Sequence, residues 1–255
     1  MLKVKQVSDL KNVLQEECKT GVIMKDKIQY NLLANLFRYP QTGYVEQMDA
    51  CVAFIKGQYP DAYEQLKAFQ EIIHQKEDIY EIEELFGKTF HIQAICYLDL
   101  GYVLYAEDYK RGEFLVQMKN EQRKVNNDCG VELPDNLPNA LTLLPLLEDP
   151  KFLEELVVRM YIPALEIMVK EFDSSRIALK TKVRKKKQKV LIQENMKNKN
   201  AYQYALQAAL SILRTDFKVN SFENMEIKAD PLSSFIPNCE GSCAPAEINE
   251  PVKTT

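Results

Sequence analysis

A chain of 255 residues with a formal net charge of −4 can bury a sizeable core, as one large domain or two small ones. Its eight Gly and eleven Pro, abundant Leu, Glu and Lys, and scarcity of alternating runs lean to an all-α fold. Cys18, Cys51, Cys96, Cys129, Cys239 and Cys243 form no CxxC pair, no apolar h-region follows Lys3, Lys5, Asp9 and Lys11, and no apolar run approaches roughly 18 residues. A disulfide scaffold, a secreted precursor and a membrane-spanning protein are thereby set aside, and reduced thiols in the cytoplasm are expected.

In chain order, Ser8 can cap a short helix that stops near Gly21. A second helix begins near Met24, carries Ile28, Leu32, Leu33, Leu36 and Phe37 on its core face, and ends before Pro40. Helices over 44–56 and 61–74 are separated by Tyr59 and Pro60, and short connections predict antiparallel neighbours. Residues 78–90 read as a further helix with Ile79, Ile82, Leu85 and Phe86 on one stripe. Ile95, Leu98, Tyr102 and Tyr105 continue the helical pattern, and even this greasy segment contains Asp99. A longer helix over 110–127 buries Phe114, Leu115, Met118 and Val125.

That helix ends at the run Glu132, Leu133, Pro134, Asp135, Asn136, Leu137, Pro138. Pro134 disfavours the α region at Leu133. Asp135 or Asn136 can accept hydrogen bonds from the first N–H groups of the next helix, where Pro138 is harmless. The expectation is a stiff, polar-capped corner with a carboxylate facing outward. Helix then runs over 137–144 to Pro145, and Asp149 caps the next with Pro150 in its first turn. Phe152, Leu153, Leu156, Val157 and Met160 form that helix's apolar face, and Pro163 kinks it without ending it, since Leu165, Ile167, Met168 and Val169 carry on.

The stretch 176–200 holds ten Lys plus Arg against one acid, leaving 23 basic and 36 acidic residues elsewhere. The folded body is therefore expected to be acidic and to favour basic partners. Lys182, Arg184, Lys185, Lys186, Lys187 and Lys189 read as a solvated linker. The alternative is a nucleic-acid-associated regulator using that basic run, which the lack of interleaved aromatics weakens. Tyr202, Ala205, Leu206, Ala209, Leu210 and Leu213 mark a last helix, beyond which a polar tail is expected to be disordered. The fold expected is thus an all-α, single-domain helical bundle of roughly nine to ten helices over 1–215, with 216–255 as the tail.

No catalytic machinery is visible. His74 and His91 stand far apart without partners at metal spacing, Cys239 and Cys243 lack a second pair, and no phosphate-binding glycine loop, nucleophile elbow or zincin motif occurs. Tyr97, Tyr102, Tyr105 and Tyr109 at helical spacing read as core or core-edge residues, or as the lining of a groove that would suit a basic amphipathic peptide.

The segment LGYVLYAEDYKRGEFLVQMK, followed by ELPDNLPNAL, resembles the NarJ/TorD-like assembly chaperones of respiratory molybdoenzymes, closest to the nitrate reductase delta-subunit branch. The likeness rests on Tyr102 and Tyr105, on Arg111 with Gly112, on Glu132 to Asp135, and on Leu137 with Pro138; the upstream LLANLFRYP adds to it. Asn136, Ile82, Thr142 and Pro145 depart from the family's pattern. The resemblance implies a non-enzymatic, monomeric, cytoplasmic chaperone that binds the N-terminal segment of a molybdenum-cofactor-containing, nitrate reductase-like catalytic subunit and holds it for cofactor insertion. It implies no permanently bound cofactor, only transient contact with molybdopterin through the client, and neither membrane insertion nor nucleic acid. The client-binding residues expected are Leu85, Phe86, Tyr102, Tyr105, Arg111, Glu132, Pro134, Asp135, Asn136, Leu137 and Pro138.

Overall fold

The computed structural model of the protein describes residues 27–92, 94–173 and 201–219. The helix expected around Ser8, the basic run and the tail with Cys239 and Cys243 lie outside the described residues. So does the expected helix start near Met24: α1 spans Ile28–Leu36 with Lys27 as its N-cap.

Helices α2 (Tyr44–Ile55) and α3 (Pro60–His74) follow within a residue of expectation, with Pro60 in the first turn of α3. The turn into α2 needs Gly43, whose φ of 93° lies in the left-handed region. Helix α4 (Ile79–Phe90) starts at Asp78, whose side chain accepts the Glu81 N–H. Next come α5 (Leu100–Tyr105), α6 (Tyr109–Lys124) and α7 (Leu137–Leu143), the last running into a 3-10 turn, Leu144–Leu146, that absorbs Pro145. Asp149 caps α8 (Pro150–Leu156) by accepting from the Lys151 and Phe152 N–H groups, as its sequence predicts.

Two expectations need correcting. Ile95 and Leu98 are not helical: the chain bends at both before α5, and Asp99 forms an isolated antiparallel bridge with Asn136. Leu100 N–H donates to the Asp135 carbonyl and Leu137 N–H to that of Leu98, so pairing with the corner outcompetes a longer helix. The tyrosines, too, are less buried than a core reading requires. Tyr97 and Tyr109 are exposed, and Tyr102 and Tyr105 are half-buried.

Pro163 leaves the helical path intact. A π turn, Val157–Tyr161, joins α8 to α9 (Ile162–Lys170), and the Ile162 N–H reaches the Val157 carbonyl. Widening the turn just before a proline relieves the clash its ring makes with the preceding turn.

Helix α10 (Ala201–Asp216) runs past the expected boundary at 215 and packs on α3 and α9, while α1 packs on α2 and α7, and α5 on α6 and α9. All six residues that predict α10 are buried. At its start, the buried Tyr202 ring meets Phe69, Phe86 and Phe90 at centroid distances of 5.2, 5.6 and 4.9 Å. At its end, the Asp216 carboxylate accepts from Gln29 Nε2, Tyr30 Oη and Tyr59 Oη at 2.9, 2.8 and 2.7 Å. Burial and that carboxylate together raise the Tyr30 and Tyr59 pKa values, so both phenols stay protonated donors. The described residues form an all-α bundle without strands, and no helix among them is long and apolar enough to cross a membrane.

Candidate functional site

The corner between α6 and α7 has an inner side and an outer side. On the inner side Asp135 is 0 % exposed. Its Oδ2 accepts the Gly101 N–H at 2.8 Å, and its Oδ1 accepts no hydrogen bond. Burial is the main reason its pKa is raised to about 6, with Asp99 adding to the shift and the Gly101 N–H and Arg111 opposing it. A Cβ on Gly101 would lie 2.8 Å from Phe114 Cδ1 and 2.9 Å from Asp135 Oδ2, so only glycine lets the carboxylate reach the start of α5. Arg111 lays its guanidinium over the Tyr102 ring, 5.0 Å from the centroid.

Neither candidate cap works as the sequence suggests. Asn136 occupies the N-cap of α7, but its side chain makes no cap hydrogen bond and donates instead to Asp99 Oδ1 at 3.0 Å. The Asp135 side chain turns away to α5. The expected outward carboxylate at Asp135 is therefore corrected: it is a buried tether between α5 and α7.

A polar cluster holds the corner from behind. Gln122, buried on α6, donates to the Pro134 and Asn139 carbonyls at 2.9 and 3.0 Å. Asn139 donates to the Cys129 and Leu133 carbonyls at 3.1 and 3.0 Å, and Asn127 donates to Gln122 Oε1. These bonds satisfy backbone groups that a loop would otherwise bury unpaired.

On the outer side, the loop bends at Gly130, φ 60°, where the Gly130 N–H donates to Asp128 Oδ1 at 2.9 Å. Val131, fully exposed at 100 %, and Glu132 follow. They line a cleft of about 440 Å³ together with the end of α1 and the turn after it, which supply Arg38, Tyr39, Gln41 and Thr42. Phe37, Tyr44, Phe86, Leu98 and Pro138 supply apolar lining. Tyr39 is 49 % exposed, packs edge-on against Phe86 at 5.6 Å and stacks on His91 at 6.3 Å. Tyr44 is fixed beneath by donating to the Leu36 carbonyl at 2.8 Å and by its 3.2 Å contact with the Tyr202 hydroxyl, so α10 supports the cleft through it.

Of the residues singled out in the sequence, the cleft brings together Phe86, Glu132, Asn136 and Pro138. The others lie elsewhere. Leu85 and Leu137 are core, and Pro134 is half-buried with its carbonyl held by Gln122. Tyr102 and Arg111 stack on each other, and Tyr105 donates to Met160 Sδ at 3.6 Å, its phenol pushed up to about 12 by burial. Arg38, Tyr39, His91 and Val131 were missed by the sequence reading. The one signal for Arg38 and Tyr39 was the run FRYP, legible as a helix end but not as a cleft lining, and nothing marked His91 or Val131 as part of one.

A second cleft of about 620 Å³ lies between the end of α6 and the start of α8, lined by Glu121, Lys124, Val125, Leu146, Glu148, Asp149 and Phe152 among others. Its acids are largely engaged: Glu121 pairs with Lys124 at 2.7 Å and Asp149 caps α8. Among the described residues, no group of three or more His, Cys, Asp or Glu side chains is placed to hold a metal. The sequence matches no protein-family model and no curated protein.

Proposed function

We propose that this protein is a peptide-binding assembly chaperone, without catalytic activity of its own, whose client is the catalytic subunit of a molybdenum-dependent, nitrate reductase-like oxidoreductase. It holds the client's N-terminal segment in the cytoplasm until the cofactor is inserted, and meets molybdopterin only through the client. One observation carries this reading: Phe86 from α4 and Glu132, Asn136 and Pro138 from the corner, separated in sequence, line one cleft beside the exposed Tyr39. The cleft's volume falls within the roughly 300–1,000 Å³ typical of ligand sites. An aromatic ring and a proline at its wall give a rigid apolar surface for a side-chain anchor, at little entropic cost to the protein.

The basic-run alternative finds no observation in its favour, because those lysines lie outside the described residues. The resemblance and the cleft point the same way, to a segment of polypeptide as ligand.

The test is co-elution of the purified protein with the cofactor-free catalytic subunit of the host's molybdenum reductase, intact or lacking its N-terminal segment. Retention of the intact subunit alone, and weaker retention of its cofactor-loaded form, is the expected result. Equal retention of intact and truncated subunits, or of neither, would refute the assignment.

A further inference from the structure

The cleft carries two charged side chains whose arrangement bears on which segment it accepts. Arg38 follows the buried Phe37 and precedes Tyr39 and Pro40 at the end of α1; Glu132 follows the exposed Val131 in the corner loop, and both line the cleft. Both are exposed, and neither makes an ion pair among the described residues. Asp128, the other exposed acid of the loop, is engaged by the Gly130 N–H. Tyr39, Phe86 and Pro138 line the same cleft.

A ligand that covers this cleft strips water from both charges. A desolvated charge left facing its own sign, or facing nothing, costs binding, whereas one that meets an opposite charge recovers the loss. Opposite charges brought to one cleft by two separate segments therefore discriminate by pattern rather than by net charge, and a uniformly basic or uniformly acidic segment is mismatched at one of them.

We infer that the cleft selects a client segment in which an apolar anchor is flanked by one acid and one base, the acid meeting Arg38 and the base meeting Glu132. This rests on the chaperone reading and sharpens it: an acidic body alone calls for a basic peptide, and the cleft calls for a mixed one.

The experiment uses the full chain and short fluorescent amphipathic peptides that share one Leu/Phe face. They differ only in the two flanking charges: Glu and Arg in either order, Glu twice, or Arg twice. At low salt, one mixed peptide binds best, and each mismatched charge weakens binding about three- to fivefold. Arg38→Glu moves the preference to the doubly basic peptide, and Glu132→Lys moves it to the doubly acidic one. Equal binding of all four peptides, or a preference that neither variant moves, overturns the inference.

Tyr39→Ala separates this from the underlying reading. If it abolishes binding of every peptide while the charges make no difference, the cleft binds peptides and the charge pattern is refuted. If no peptide binds the wild type, or Tyr39→Ala changes nothing, the cleft reading falls and this inference with it.

Discussion

Glu132 and Asp135 belong to the same corner, and water treats them oppositely. Glu132 is exposed on the cleft wall with no ion-pair partner among the described residues, whereas Asp135 is wholly buried and tied to the first turn of α5. The exposed acid is already solvated, so its charge is available to a partner. The buried one uses a single oxygen to hold the Gly101 N–H inside the fold, and its charge is disfavoured by its surroundings. In a short motif, then, one carboxylate builds the corner and the other presents it. Perturbing the inner side should change stability, and perturbing the outer side should change recognition alone.

The sharpest break of the inner side is Gly101→Ala. The added methyl meets both a ring buried in the core and the hydrogen-bonded carboxylate, and neither can yield cheaply. A loss of about 2–3 kcal/mol is expected, lowering Tm by on the order of 5–10 °C. Thermal melts followed by circular dichroism check this, and an unchanged Tm would mean that Asp135 is not held at Gly101.

Asp135→Asn tests the electrostatic half of the same contact. The folded-state pKa is raised to about 6 from 3.8, so between those values the folded protein binds more protons than the unfolded chain. Ionisation of Asp135 therefore opposes folding: stability is lost as pH rises through about 6, and the penalty is absent below 3.8. At pH 7 that penalty amounts to about 3 kcal/mol. The amide keeps an acceptor for the Gly101 N–H but buries a donor without a partner, returning about 1 kcal/mol of cost. Urea unfolding should thus find the variant about 2 kcal/mol more stable than wild type at pH 7. The advantage should vanish towards pH 4; a difference independent of pH would show that burial does not control this carboxyl.

Helices were readable wherever one stripe of apolar residues repeats over several turns, as in α10, and wherever an aspartate stands before the first turn, as Asp78 and Asp149 do. The corner's existence was readable from Pro134 and Pro138. Its inward and outward sides were not, because they depend on Gly101, a contact 34 positions away. Nor could periodicity report that Ile95 and Leu98 lie outside a helix, since the competing bonds come from distant groups: the Ile95 N–H donates to the Thr89 carbonyl, and the Leu98 carbonyl accepts from Leu137 in the corner. Gln122 was not singled out, because a lone glutamine on a charged helix carries no pattern, yet it is the donor that fixes the Pro134 carbonyl. The cleft residues Arg38 and Tyr39 are brought to the corner by α1 packing on α7, which no local pattern records.

Glu132→Gln, on the outer side, gives the smallest effect on the fold and so tests the division most directly. The side chain is exposed and forms no ion pair among the described residues, so removing its charge should leave stability within about 0.5 kcal/mol of wild type at pH 7. The same variant should bind a mixed-charge peptide more weakly at low salt, and the deficit should shrink as salt is added, because a rim charge acts through a screened interaction. Urea unfolding and peptide titration on one preparation provide both numbers. A large loss of stability would show that the Glu132 charge is used inside the fold, and the corner would then have no outward-facing reader.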